Sequence, residues 1–129
     1  SDVGVLSTHC GVDLQRTEEA ISAVTNEYYI LAENGVSEEE VAKAKSFLKG
    51  KLTLKMEDSE ERASFLGTQA ILGAKIRTVD ELFSHIESIT KSDIDTLAKR
   101  ILKPENCRLA AIGPFAGLEE KFTELIQEA

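Results

Sequence analysis

Tryptophan is absent from this 129-residue chain, and Phe, Tyr and Trp together supply only 5% of it. Its core must therefore rest on Leu, Ile, Val and Ala rather than on large rings. There are two cysteines, Cys10 and Cys107, too few for a disulfide scaffold, so both are expected reduced, buried and inert. Only two histidines occur, His9 and His85. Two prolines and no low-complexity stretch leave no sign of a linker. No apolar run approaches the length that spans a bilayer. Basic charge is also in deficit: 15 Lys and Arg face 23 Asp and Glu, for a formal charge of -8. Such a surface repels phosphates, which argues against a general nucleic-acid binder.

These shortages exclude most self-contained chemistry. The inverted zinc motif H-x-x-E-H needs a pair of histidines on one helix face with a glutamate base. His9 and His85 cannot form it. His85-Ile86-Glu87 matches the H-x-E of zinc deaminases, but no P-C-x-x-C follows. A zinc site from His9, Cys10, His85 and Cys107 fits by ligand type and fails by spacing. Neighbours such as His9 and Cys10 also point to opposite faces of a strand. No G-x-S-x-G elbow or G-x-G-x-x-G is present, and Gly50-Lys51 precedes Leu52 where a phosphate loop requires Ser or Thr. No catalytic, cofactor-binding or metal-binding residue is therefore assigned.

What the sequence does have is helix punctuation. Val3 to Cys10 reads as a strand ended by Gly11. Asp13 caps a long helix to about Asn34, with Ile21, Val24, Tyr28 and Leu31 on one face and Gly35 just past its end. Ser37-Glu38-Glu39-Glu40 is a capping box, followed by an apolar stripe of Val41, Ala44, Leu48 and Leu52. The pattern breaks around Glu57 to Ser59. It resumes from about Glu60 to Leu72, with Ala63, Leu66 and Ala70 on one face and Gly73 ending it. Thr78 with Glu81, and Thr90 with Asp93, open two more helices, the first through Ile86 and the second carrying Ile94, Leu97, Ala98 and Ile101. Pro104 closes that region. Cys107 to Ile112 reads as a strand, Gly113-Pro114 as a turn, and Leu118 to Glu128 as an amphipathic helix through Leu118, Phe122, Leu125 and Ile126.

The expected class is α+β, with helices on one face of an antiparallel sheet. Only two strands are legible, and a two-stranded sheet is marginal alone in water. The remaining strands should come from more chain or from a partner. A start at Ser1 without Met fits a processed or truncated product. Lys43, Lys45, Lys49, Lys51 and Lys55 read as a solvated helix face rather than an anion site, because the acidic whole provides no basic field. Glu60-Glu61 and Glu119-Glu120 sit at helix starts, where they complement the dipole.

The order of these signals carries a resemblance. Gly35 to Lys45 resembles the G-[VT]-[ST]-x-x-E-[LV]-x-[RK]-A-K stretch of the insulinase/pitrilysin metallopeptidases. Leu48 to Leu54 looks like that family's continuing helix, and Arg62 to Gln69 resembles its R-x-x-x-[LI]-G-x-Q region. Thr90 to Leu102 and Pro104 to Pro114 resemble its later helix and its P-x-x-x-x-[LV]-A-x-[VI]-G-P strand and turn. The closest flavour is the bacterial processing-peptidase-like branch and the mitochondrial processing peptidase subunits. The resemblance implies the C-terminal part of a second, noncatalytic domain in an incomplete α/β sandwich, as a single or partial domain over 1–129. It implies a parent zinc endopeptidase that encloses peptides between two halves, with zinc held in its N-terminal part and no cofactor in this chain. Partners would be the remaining peptidase domains or a partner subunit, with no nucleic acid and no membrane. The cytoplasm or the mitochondrial matrix fits such a protein. Two other readings are an inactive family member acting as scaffold or partner subunit, and an independent small interaction domain.

Overall fold

Side-chain acceptors fix where the helices begin. The computed structural model describes residues 4–72 and 75–127. Asp13 accepts from the Gln15 amide at 3.1 Å and starts a 3-10 turn, Leu14–Arg16, that runs into α1 (Thr17–Asn34). The Ser37 hydroxyl accepts from the Glu40 amide at 3.2 Å while the Glu40 carboxylate accepts from the Ser37 amide at 2.7 Å, which opens α2 (Glu38–Lys55). Asp58 accepts from the amides of Glu60 and Glu61 and opens α3 (Ser59–Ile71). The Thr78–Glu81 box opens α4 (Val79–Ser88), and the reciprocal Thr90–Asp93 pair precedes α5 (Lys91–Ile101). The last helix is α6 (Glu119–Gln127). Each cap satisfies amides that have no partner inside the helix.

The chain divides into two compact units. The first is built on Val36–Asp93. Here α2 packs on α4, with Val41 buried. The Lys45 ammonium donates to the Glu87 carbonyl at 2.8 Å, and Lys49 donates to the Glu87 carboxylate at 2.5 Å while lying 5.8 Å from the Phe83 ring centre. The α2 lysines thus include two that fasten the end of α4, beyond the solvated role expected of them. Gln69 on α3 closes the unit: its Oε1 accepts from the Arg77 amide at 2.9 Å, and its Nε2 donates to the Arg77 and Phe65 carbonyls. The apolar stripes expected here are only partly covered. Val41 is buried and Leu52 half-buried, but Ala44, Leu48, Ala63, Leu66 and Ala70 are exposed. A helix face stays wet when nothing is packed on it, whatever its periodicity.

The second unit is built on Val5–Gly35 and Ile94–Ala129. Its centre is α1 against α6. Phe122, Ile126 and Ala98 are buried, and the expected α1 stripe of Ile21, Val24, Tyr28 and Leu31 is half-buried. Two threonines are buried as well, and each is satisfied within its own turn. Thr17 donates to the Leu14 carbonyl and Thr25 to that of Ile21. This back-bonding is how a hydroxyl tolerates a helix interior.

The expected α+β class with an antiparallel sheet is corrected by this structure, which is all-α: no strand occurs among the described residues. Residues 4–10 and 107–112, where the two strands were expected, belong to no ladder. The physical reason is the one that makes a two-stranded sheet marginal. A strand exists only through hydrogen bonds to a neighbour, and neither stretch has one among the described residues. Val5, Leu6 and Ile112 are 85%, 60% and 104% exposed, so packing does not hold these stretches extended either. Val3 at the first strand's start, Gly73 at the end of the second helical stretch and Glu128 at the end of the last helix lie outside the described residues.

Candidate functional site: a cleft between the 107–113 segment and α6

An open cleft of about 730 Å³ lies in the second unit. After α5 the chain makes a 3-10 turn, Pro104–Asn106, in which proline supplies the fixed φ that such a turn accepts. The Asn106 side chain donates to the Ile101 carbonyl at 3.1 Å, and the Cys107 amide donates to Pro104 at 3.0 Å. Cys107 itself is extended. Cys107, Arg108, Leu109, Ala111, Gly113 and Phe115 line one side of the cleft.

The opposite wall is α6, through Phe122 and Ile126. Phe115 meets Phe122 edge-on, with ring centres 5.3 Å apart and planes at 66°. A side chain at Gly113 would overlap the Phe115 ring, so glycine is what permits this close approach. The Tyr29 hydroxyl donates to the Ile126 carbonyl at 2.5 Å. Burial pushes the Tyr29 phenol above its ordinary value, and the nearby Cys107 and Glu105 add to the shift. The phenol therefore stays protonated and remains a donor. At the rim, one Arg108 nitrogen donates to the carbonyls of Glu105 and Cys107.

Its titratable lining groups include one thiol, Cys107, and two carboxylates, Glu105 and Glu119. Among the described residues no group of three His, Cys, Asp or Glu side chains could hold a metal. His9 shares a 3.2 Å hydrogen bond with Ser7 on the exposed 4–12 segment, and His85 is an exposed residue of α4. Cys10 and Cys107 are free thiols. The expectation that both are buried fails for Cys10, which is exposed, and Cys107 is only half-buried. Among the described residues no helix is long and apolar enough to cross a membrane.

Comparison with known proteins supplies what the cleft cannot. An uncharacterized zinc protease of Mycobacterium tuberculosis is 28% identical over 114 residues, which is 88% of this chain and 26% of that protein. An uncharacterized zinc protease of Streptomyces coelicolor is 24% identical over the whole chain and 27% of its own length. These matches make the chain similar to zinc proteases over most of its length, in line with the pitrilysin-type resemblance. A further relative, from Bacillus subtilis, is named a probable inactive metalloprotease, YmfF, and is 22% identical over 76% of the chain. No family model matches. The chain spans only about a quarter of the length of the curated relatives it matches. The sequence reasoning missed two features that organise the units: the Gln69 clamp on Arg77, and the Tyr29 bond to α6. The first sits inside the R-x-x-x-[LI]-G-x-Q stretch, so its glutamine was in view without its role.

Proposed function

We propose that this chain is a noncatalytic, C-terminal segment of a pitrilysin-type zinc endopeptidase, forming part of the wall and domain interface of a chamber that encloses peptides. The observation that carries the proposal is a pairing. Nearly nine-tenths of the chain aligns with a quarter of a zinc protease, while its two histidines cannot make the H-x-x-E-H that such hydrolysis needs. Zinc and its base then belong to the N-terminal part of the parent, and the rest of the parent is this segment's partner. In such an arrangement this chain contributes shape and closure. It would hold the second half of the chamber in register while water activation occurs elsewhere.

A second reading has its own support. The match to a relative named an inactive metalloprotease fits a parent that has lost the motif and serves as a partner subunit. The zinc content of the full-length native gene product separates the two. About one zinc per chain supports the endopeptidase. Zinc near zero after gentle purification, in a product without H-x-x-E-H, supports the inactive subunit.

A further inference from the structure

Phe47 sits in the middle of α2 with 66% of its surface open, and Leu54, two turns later, is 68% exposed. Both belong to one line along α2: Glu40, Ala44, Phe47, Lys51 and Leu54, all exposed and spaced alternately by four and three residues. That spacing is the seam by which one helix pairs with another. The side of α2 that meets α4 is a different one, carrying Val41, Lys45 and Lys49. Large apolar side chains left open along one face mark an interaction surface.

We propose that this seam is the contact between two copies of the chain, with α2 running antiparallel to its counterpart about a two-fold axis. The charge pattern selects a second copy. With the axis at Lys45–Ser46, Ala44 of each copy meets Phe47 of the other, and Glu40 of each meets Lys51 of the other. Lys43 comes opposite Gly50, which has open space around it and brings no charge. A parallel pairing would instead set Glu40 on Glu40 and Lys51 on Lys51, which repel. The paired groups are available. The Ser37 amide and hydroxyl both bond to Oε2 of Glu40, which leaves Oε1 to accept. Lys45 and Lys49 are paired with Glu87 and Lys55 with Glu61, whereas Lys51 lies 6.0 Å from the ring centre of its own Phe47. The chain's charge of -8 repels a second copy, but α2 carries five lysines against three glutamates, so the repulsion is weakest there. A contact about 27 Å long gives a small interface, hence a weak and reversible dimer.

Sedimentation velocity on the 129-residue chain tests this. The chain should pass from monomer towards dimer as its concentration rises from about 10 μM to about 1 mM. Phe47→Asp should weaken association at least about tenfold while the dilute chain keeps its melting point, because the ring is exposed. Lys51→Glu alone and Glu40→Lys alone should each associate less than wild type, and an equimolar mixture of the two should form a mixed dimer, since each layer then regains opposite charges. That exchange decides the matter even if Phe47→Asp does not fold. A chain that stays monomeric throughout the range overturns the proposal. If Phe47→Asp then lowers the melting point of the full-length gene product, the rest of that polypeptide covers the face instead. Dimers that ignore both Phe47→Asp and the charge variants overturn it as well, in favour of another surface.

Discussion

The hydroxyl of Tyr29, on α1, donates to the carbonyl of Ile126, in the last turn of α6, 97 residues further along the chain. That carbonyl is one of those a helix leaves without an internal partner, so the bond both satisfies α6 and ties it to α1. Phe122 and Ile126 are buried beside it. Tyr29→Phe keeps the ring and removes only the donor. It should lower stability by about 1 kcal/mol, read as a lower midpoint in urea. An unchanged midpoint would mean that water replaces the phenol there without loss.

Helix starts were legible because a cap is a local event. Ser37–Glu40, Thr78–Glu81 and Thr90–Asp93 each act within three residues and stand where the sequence placed them, while Asp13 caps a 3-10 turn ahead of α1 rather than α1 itself. The expected sheet failed for the opposite reason: the apolar pattern of Cys107 to Ile112 reads as a strand, yet a ladder depends on a neighbour that local pattern cannot supply, and the described residues hold none. The same limit explains the apolar stripes. Leu48 and Leu66 have helical spacing and remain 49% and 48% exposed. Tyr29 and Gln69 act over sequence separations, or through side-chain amides, that periodicity does not encode. The cleft was likewise invisible in advance, because it is made by residues from two ends of a turn that only folding brings together.

Gly35 carries a backbone demand that no other residue type meets easily. Its φ of 70° with ψ of -165° lies in territory that glycine alone visits freely, and a Cβ there would overlap the Asp95 carboxylate. Gly35→Ala should cost about 1–3 kcal/mol, seen as a lower thermal midpoint. Gly35→Asn, which tolerates positive φ elsewhere, should not rescue it, because its Cβ meets the same carboxylate. Rescue by Asn would show that φ alone matters.

The three capping carboxylates predict a pH response. The Ser37 amide holds Glu40 below its ordinary value, the Thr78 amide does the same for Glu81, and the Thr90 hydroxyl followed by its amide does so for Asp93. A folded-state value below the unfolded one means stability that is present above the ordinary carboxylate range and is lost as pH falls through the depressed values. The melting midpoint should therefore drop on acidification below about pH 4.5. In a Glu40→Gln, Glu81→Gln, Asp93→Asn variant the drop should be shallower. Parallel pH curves for the two proteins would rule the caps out as its source.

Ser37→Ala isolates one cap. The hydroxyl it removes accepts the Glu40 amide, and the Glu40 carboxylate loses its hydrogen bond from that hydroxyl while keeping the one from the Ser37 amide. The expected loss is about 1 kcal/mol, with Ser37→Asp restoring most of it. Equal midpoints for wild type and Ser37→Ala would mean that α2 is held by its packing on α4 and not by its start.

Gln69 makes a stronger claim on local order than on global stability. Its side-chain amide pairs with both the N–H and the C=O of Arg77, as a neighbouring strand would, and so fixes the segment that leads into the Thr78 cap. Gln69→Ala leaves the Arg77 amide without that acceptor. Hydrogen exchange at Arg77 should accelerate by about tenfold or more, in keeping with a local opening that no longer breaks a bond. The amides in the middle of α2 should keep their protection. Gln69→Glu separates the two halves of the clamp. It retains the acceptor for the Arg77 amide and abolishes the donor to the Arg77 carbonyl, so exchange at Arg77 should fall between wild type and Ala. If the Ala and Glu variants instead exchange alike, the Arg77 carbonyl bond is the one that holds the segment, and the acceptor side of the clamp contributes nothing measurable.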